Sequence, residues 1–313
     1  MAALAATSRQ RRRKSSGGLK IGRPSFLWSL PAITFFAICA IAPLCVVVWL
    51  SFTSWDALGS PAWVGAGNWR TLFHDPTLRN SFKVTAILTG LGIVTQTPVS
   101  LLLGVWAAGY QRNRAILSAL YFIPLLMSAT AISIVWLSLL DPYYGLPHEL
   151  HWLFGNGFFE HGYLFSYPST AIGVLTFVGM WQWTPFHTLI YQGGARAIPQ
   201  VLYQAAAIDG AGRFRQFLYI TLPQLRNTII TSVVLMLVGS LTSFDTILIL
   251  TSGRPGISTT STSYYMYIKG FQQFDFGSAS VIGVLLVIVS TIISLIVVRA
   301  SGWDKMRSTQ EGV

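Results

Sequence analysis

The stretch of sequence that decides the fold is Tyr203–Leu225, which reads YQAAAIDGAGRFRQFLYITLPQL. It is too polar to cross a bilayer, yet long apolar segments flank it on both sides. The pattern predicts a short helix with Val201, Ala205 and Ile208 on one face, ended by Gly210 in the left-handed conformation. A short polar element between two membrane spans indicates a docking site for another protein. A helix lying on lipid headgroups is the alternative.

A second short helix is predicted after the glycine. Phe214, Phe217, Leu218 and Thr221 would share one of its faces, and Leu222-Pro223 would close it and start the next apolar segment.

The rest of the chain has the composition of a membrane protein. Of its 313 residues, 52% are hydrophobic and only 10% are charged, and the mean hydropathy is +0.56. Soluble domains carry about 25% charged residues. Six apolar stretches are each long enough to cross about 30 Å of hydrocarbon as a helix. They are Phe26–Phe52, Phe82–Gly109, Leu117–Leu140, Ser169–Gln192, Asn227–Leu250 and Ser278–Val298. Continuous apolar runs favour helices over a barrel, so an all-α integral membrane protein with six transmembrane helices is predicted.

The placement of lysine and arginine predicts the orientation. With the N-terminus inside, cytoplasmic segments hold sixteen of the 21 Lys and Arg residues, which fits the positive-inside rule with both termini cytoplasmic. The net charge of +11 therefore reflects topology. A nucleic-acid partner for the basic run Arg9–Lys14 is the weaker alternative, and none is expected. Cys39 and Cys45 lie inside the first span and predict neither a disulfide nor a metal site.

The domain organisation follows from these segments. Residues 1–24 are predicted to be a disordered basic cytoplasmic tail. Residues 25–77 hold the first span and an external loop, and residues 78–300 hold a core of five spans with a cytoplasmic loop at 193–226. Residues 301–313 form a second cytoplasmic tail.

Tyr203–Leu225 resembles the EAA loop of ABC importer permeases, in which E-A-A-x-x-D-G-A is followed by I-x-L-P. The residues in register are Ala205, Ala206, Asp209, Gly210, Ala211, Ile220, Leu222 and Pro223. Gln204 stands where the family has glutamate, so a hydrogen-bonding group is retained and a charge is absent. Leu50–Asp56, Asp141–Gly145 and Phe244–Gly256 look like the sugar-importer branch. The chain is most similar there to the maltose- and glycerol-3-phosphate-type permeases.

The resemblance implies a fold, a location and a set of partners. It implies the type I ABC importer permease fold in a bacterial inner membrane, where the chain pairs with a second, related permease. Two copies of an ATPase would bind below and carry ATP and Mg, and an external solute-binding protein would deliver a sugar. The chain has no Walker A pattern, so no cofactor and no ATP hydrolysis of its own are expected. The residues implied in coupling to the ATPase are Gln204, Ala205, Ala206, Asp209, Gly210, Ala211, Phe217, Ile220, Leu222 and Pro223.

Substrate-contacting residues are implied in two spans. In the fourth span, Trp181 and Phe186 match aromatic contacts of the family, with Gln182 as a polar neighbour, whereas Trp183 matches no aromatic. In the fifth span a polar stripe runs along an otherwise apolar helix. Its members are Ser240, Ser243 and Asp245.

The residue types leave alternatives open at these positions. The aromatics could serve ordinary packing. Asp245, an acid inside a predicted span, could be functional or could support a helix end. A packed neutral imidazole is the simpler role for His187. An exposed cluster, rather than a metal site, is expected for His148, Glu149, His151 and His161.

The sequence as a whole predicts a permease subunit of an ATP-driven importer for a sugar or oligosaccharide. The alternative is an ion-coupled secondary transporter of a small polar solute, for which repeated halves and several intramembrane charges would be expected. A membrane enzyme is disfavoured, because no cluster of His, Cys or carboxylates lies at one depth.

Overall fold

The computed structural model describes residues 26–109, 120–149 and 163–300 of the chain. The predicted tails at 1–24 and 301–313, and the loop residues His151 and His161, lie outside these ranges. The chain divides into two compact units, Met1–Val46 and Val47–Val313.

The described part of the first unit is helical. A 3-10 turn (Phe26–Ser29) leads into α1 (Leu30–Phe36), a π turn (Ala37–Ile41) and α2 (Ala42–Leu50), which continues into the second unit. Leu30–Leu50 is long and apolar enough to cross a membrane.

The described part of the second unit is a set of helices with one small sheet. Strands β1 (Thr53–Ser54) and β2 (Ala62–Trp63) pair antiparallel, with Thr53 opposite Trp63. The helices up to the EAA-like stretch are α3 (Gly67–Phe73), α4 (Pro76–Ala107), α5 (Ile123–Leu126), α6 (Ala129–Leu139), α7 (Leu146–Glu149), α8 (Tyr163–Ser166) and α9 (Pro168–Arg196). The remaining elements are α10 (Gln200–Ile208), α11 (Arg213–Gln216), a π turn (Phe217–Thr221), α12 (Leu222–Gln224), α13 (Arg226–Thr242), α14 (Asp245–Leu250), α15 (Thr262–Tyr267), a π turn (Ile268–Gln272) and α16 (Phe276–Ala300).

Three helices of the described ranges are long and apolar enough to span a bilayer: Leu30–Leu50, α4 and α16. A fourth is obtained if Arg213–Gln224 and α13, which meet at a bend of 65°, count as one span.

Two of the predicted spans are not continuous helices. In the stretch Leu117–Leu140, the backbone is extended at Met127 and Ser128, and the Ser128 hydroxyl accepts a hydrogen bond from the backbone N–H of Ala131 at the start of α6. In Asn227–Leu250, Ser243 is extended between α13 and α14, and its carbonyl accepts a hydrogen bond from the Ser263 hydroxyl. Apolar composition cannot reveal such breaks, because a local serine cap satisfies the freed backbone group in the first case and a serine of another helix does so in the second.

Helices α4 and α9 approach each other closely at Gly104. A Cβ atom at this position would lie 2.6 Å from the Cβ of Tyr191 and 2.9 Å from the carbonyl oxygen of Thr188. The close approach creates a buried cluster of Leu101, Tyr191, Ile198 and Leu225. The missing side chain therefore sets the distance between α4 and α9 at this point.

The start of α4 is attached to α15 through Asp75. Its carboxylate caps α4 by accepting a hydrogen bond of 2.8 Å from the backbone N–H of Thr77, and its second oxygen accepts one from the Tyr265 hydroxyl. Burial alone would raise the pKa of Asp75, but the hydrogen bonds from Tyr265 and Thr77 outweigh it, and the pKa lies below its usual value. Burial and the hydrogen bond to Asp75 raise the pKa of Tyr265, so the phenol stays a donor.

Candidate functional site

A cavity of about 370 Å³ lies among α4, α9, α13 and α14. Each of α4, α9 and α13 contributes a glycine, namely Gly92, Gly179 and Gly239, at which an added Cβ would meet no atom within 4 Å. The glycines therefore leave open space on three sides. A cavity of this size falls in the range of small-molecule sites.

The cavity wall is apolar with a set of neutral polar groups, and its described lining contains no Asp, Glu, Lys or Arg. The polar lining residues are Thr85, Thr89, Gln96, Thr176, His187, Ser240, Ser243, Thr246 and Ser261. Two aromatic residues, Trp183 and Phe186, line the same space from α9. Aromatic rings with hydroxyl and amide groups around them suit an uncharged polyhydroxylated ligand.

Three of the six sequence-predicted substrate residues lie on this cavity. Phe186, Ser240 and Ser243 are part of its lining. The Ser240 hydroxyl lies 2.8 Å from that of Thr89 across α4 and α13, and it also donates to the carbonyl of Leu237. The break between α13 and α14 leaves Ser243 exposed beside this pair.

The other three predicted residues are placed elsewhere. Trp181 packs edge to face on Trp136, with ring centroids 5.5 Å apart, and belongs to the hydrophobic cluster around Ile132 and Leu175. Gln182 is 5% exposed and is not part of the lining. Asp245 is the first residue of α14 and is half-buried next to the lining residue Thr246.

Sequence reasoning did not select Gln96 or Trp183 as substrate residues, and it treated His187 as packing. Trp183 is 46% exposed and lines the cavity. His187 is buried, and its Nδ1 lies 2.8 Å from the Ser232 hydroxyl. The available signal for Gln96 was an amide in the middle of the apolar stretch Phe82–Gly109, since such a group needs a partner in hydrocarbon.

A second candidate site is the connecting segment, defined as Gln200–Gln224 between α9 and α13. The prediction for Gly210 is confirmed, because its φ is +74°. The N–H of Ala211 donates to the carbonyl of Ala206 at 2.8 Å, and that of Gly210 donates to Ala207 at 3.1 Å. This pair of hydrogen bonds is the Schellman arrangement, which ends α10 and turns the chain toward α11.

The apolar face predicted for α10 points away from the protein. Val201, Ala205 and Ile208 are all exposed, and 88% of the Ile208 side chain is accessible. Phe214 at the start of α11 is 75% exposed. The chain therefore presents an uncovered apolar surface on the connecting segment, and such surfaces mark contacts with proteins or membranes.

The predicted face of the second helix is wrong in one respect. Phe214 is exposed, whereas Thr221 is buried and Phe217 is half-buried, so these residues do not share a face. The π turn at Phe217–Thr221 adds a residue to the helical turn and so shifts Thr221 around the axis relative to Phe214. The Tyr203 hydroxyl lies 2.8 Å from that of Thr221 and links α10 to this turn.

The ten predicted coupling residues separate into an inner and an outer set. Phe217, Ile220 and Leu222 pack against the cluster around Tyr191 and Leu225. Ala206 and Ala211 are half-buried. The outer residues, which are exposed, are Gln204, Ala205, Asp209, Gly210 and Pro223.

Within the described ranges, no group of three or more His, Cys, Asp or Glu residues is arranged to hold a metal ion. Cys39 and Cys45 are free thiols.

Residues 100–302 match the protein family described as binding-protein-dependent transport system inner membrane component. Among curated proteins, the chain is 30% identical over 279 residues to the trehalose/maltose transport system permease protein MalF of Thermococcus litoralis, covering 88% of this chain and 93% of that protein. It is also 30% identical over 278 residues to the sn-glycerol-3-phosphate transport system permease protein UgpA of Escherichia coli, covering 86% and 91%.

The fold matches that of a solved transporter chain. A chain of a bacterial alginate ABC transporter, crystallised with an alginate pentasaccharide-bound periplasmic protein, superposes with a TM-score of 0.75. The match covers 88% of this chain and 93% of that chain, at 23% sequence identity.

Proposed function

The chain belongs to the family of binding-protein-dependent transport system inner membrane components, and on that premise we propose that it forms half of the translocation pathway of a sugar importer. It is a pore-forming permease subunit, and ATP hydrolysis belongs to a separate chain. The observation that carries the substrate class is the uncharged cavity, lined by hydroxyls and by Trp183 and Phe186. Family membership favours this function over an ion-coupled transporter.

The lining favours a neutral sugar over an anionic one. Relatives named for glycerol 3-phosphate and for trehalose and maltose are equally identical to this chain, so identity does not choose between them. An anion in a cavity of low dielectric needs a cation or several N–H donors. The described wall supplied by this chain offers no cation, and its polar groups are mostly hydroxyls, with the Gln96 amide, the Trp183 indole and the Ser232-bonded His187 ring beside them. The substrate is therefore proposed to be a neutral sugar or oligosaccharide.

Six transmembrane helices with both termini cytoplasmic remain part of the proposal. The broken helices α5 and α6, and α13 with α14, would each count as one span, because their freed backbone groups are satisfied inside the protein. Lysine and arginine placement supports the orientation. The connecting segment then lies on the cytoplasmic side.

The proposed partner at the connecting segment is the ATPase. Two ATPase copies, which bind ATP and Mg, would dock below this chain and a second, related permease. The exposed side chains of Ile208 and Phe214 supply apolar anchors, and the exposed Gln204 and Asp209 supply polar contacts at their edge. An external solute-binding protein would deliver the sugar, as a periplasmic protein accompanies the alginate transporter.

Substrate contact by Trp181, Gln182 and Asp245 stays a proposal carried by the resemblance. Asp245 lies next to the cavity, and its carboxylate could accept hydrogen bonds from sugar hydroxyls. Trp181 and Gln182 would reach a sugar only if α9 turned or shifted during transport.

Uptake into proteoliposomes tests the proposal. The complex is purified with its partner permease, ATPase and solute-binding protein, and supplied with radiolabelled maltose, trehalose, glycerol 3-phosphate and alginate oligosaccharides. ATP-dependent uptake of a neutral sugar is expected. Uptake of the anions alone would reject the neutral-sugar assignment, and uptake without the ATPase would reject the importer.

A further inference from the structure

One polar group at the cavity has no partner in the protein. In the described part of the chain, three side chains have a buried nitrogen or oxygen without a hydrogen bond: the amide nitrogen of Gln96, the indole of Trp136 and the hydroxyl of Tyr191. Of these three, Gln96 is the one that lines the cavity. The side chain is only 7% exposed.

Several other polar groups of the cavity wall and of α4 have partners within the protein. The hydroxyls of Thr89 and Ser240 bond to each other, and His187 bonds to Ser232. Ser100, one turn after Gln96, donates to the backbone carbonyl of Gln96 rather than to its side chain. A buried amide without a partner destabilises a fold, so its presence calls for an explanation, and a ligand in the cavity supplies one.

The space one helical turn along α4 from Gln96 is open. Gly92 lies one helical turn earlier on the same face of α4 and also lines the cavity, and an added Cβ there would meet no atom within 4 Å. The torsion at the end of a glutamine side chain is broad, so the amide can turn toward a ligand in that space.

Resting on the proposed function, we propose that Gln96 is a substrate contact that helps select the sugar. Its Nε2–H donates to a hydroxyl or ring oxygen of the sugar unit held between α4, α9 and α13, and its carbonyl accepts from a neighbouring hydroxyl. The ligand thus completes the hydrogen bonding that the folded chain leaves unmade.

The variant Gln96→Met tests this, because methionine has nearly the same length and carries no donor. The matched control is Gln192→Met on α9, since the Gln192 amide donates to the carbonyl of Ala107 at 2.8 Å and lies outside the cavity lining. The same chemical change is thus made at Gln192, whose amide has a partner within the protein, and at Gln96, whose amide nitrogen has none.

Initial uptake rates are measured with the complete importer in proteoliposomes, using radiolabelled neutral sugars from glucose and xylose to maltotetraose. Gln96→Met is expected to lower uptake of the best sugar about tenfold, the effect of one lost hydrogen bond. The ratio of rates for the two best sugars should change as well. The melting temperature of Gln96→Met in detergent should rise or stay level, whereas that of Gln192→Met should fall with uptake retained.

Wild-type uptake by Gln96→Met, or a lower rate with an unchanged ratio between the two sugars, overturns the inference while leaving the proposed function intact. A wild-type complex that imports no neutral sugar overturns the proposed function, and the inference with it. If Gln96→Met does not assemble, Gln96→Asn takes its place, because its amide is one methylene shorter. Uptake lowered at least about threefold supports the contact, and wild-type uptake overturns it.

Discussion

The cavity and the connecting segment are built in opposite ways. The cavity carries hydroxyls and the residue Gln96, whose amide nitrogen has no partner, along otherwise apolar walls. The connecting segment turns Ile208 and Phe214 outward and keeps a hydroxyl pair, Tyr203 and Thr221, inside. The cavity has a polar group without a hydrogen-bond partner, which indicates a small polar ligand. The connecting segment has apolar side chains that nothing covers, which indicates a protein partner.

The largest effect is expected at the apolar surface of the connecting segment. Phe214→Asp should abolish co-purification of the ATPase and lower sugar uptake by about a hundredfold, because interface aromatics contribute several kcal/mol when they are covered by a partner. The melting temperature of the permease itself should stay within a degree or two, since the ring is 75% exposed. Affinity purification followed by an uptake assay measures both.

Leu58→Asp is the matched control, because Leu58 is 93% exposed in the loop between β1 and β2. It should retain the ATPase. If Phe214→Asp also retained the ATPase at wild-type levels, the connecting segment would not be the docking surface, and the comparison with the cavity would fail.

Two tryptophans on α9 provide the next largest effect. Trp183→Ala removes a ring that lines the cavity and should lower uptake about tenfold, with little loss of stability, because the ring is half-exposed. Trp181→Ala removes a ring packed on Trp136 and should destabilise the protein by about 3 kcal/mol. Uptake kinetics and thermal unfolding in detergent separate the two effects.

The conservative variants Trp183→Phe and Trp181→Phe sharpen this test. If Trp181→Phe changed sugar selectivity while Trp183→Phe did not, the resemblance to known permeases would describe the substrate site better than the cavity does. The described geometry would then correspond to a different stage of the transport cycle.

Gly104 lies between the two regions and should have a smaller effect. Its absent Cβ lets α4 approach Tyr191, which packs on the connecting segment through the cluster with Phe217 and Ile220. Gly104→Ala should destabilise the fold by about 1–3 kcal/mol, because the added methyl would overlap backbone and Cβ atoms. Gly90→Ala, where a Cβ meets nothing within 4 Å, should instead stabilise α4 by about 0.5–1 kcal/mol. If Gly104→Ala and Gly90→Ala changed the stability equally, α4 and α9 would not be in close contact at Gly104.

The connecting segment could be predicted from sequence because its structure is local. The hydrogen bond from Ala211 to Ala206 and the left-handed Gly210 depend on six consecutive residues, so a motif captures them. The π turn that separates Phe214 from Thr221 was missed, because its extra residue has no compositional signature.

The cavity could be predicted only in part, since it joins residues far apart in the chain. Thr89 and Ser240 meet across 151 positions, and nothing in either stretch indicates the other. Trp181 and Trp183 are two residues apart, so they lie about 200° apart around the helix. The resemblance to known permeases implies Trp181 as the substrate contact, whereas the cavity geometry favours Trp183. The breaks at Ser128 and Ser243 were missed for the same reason, because tertiary contacts and caps decide them.

The smallest effect is expected at Asp75, which lies in neither the cavity nor the connecting segment. A substitution there should change the stability of the protein and leave both sites unaffected. Asn is a good N-cap, so Asp75→Asn loses mainly the charge-assisted bond from Tyr265 and should destabilise by about 1 kcal/mol at pH 7 without changing ATPase binding or sugar selectivity.

The pKa of Asp75 is lower in the folded chain, so the stability that its carboxylate contributes is complete above about pH 4 and is lost as the pH falls through the lowered value. The melting temperatures of the wild type and Asp75→Asn should therefore converge below pH 4. Tyr265→Phe removes the same bond from the other side, so the double variant should lose less than the sum of the two single losses. Additive losses would show that the two groups act independently.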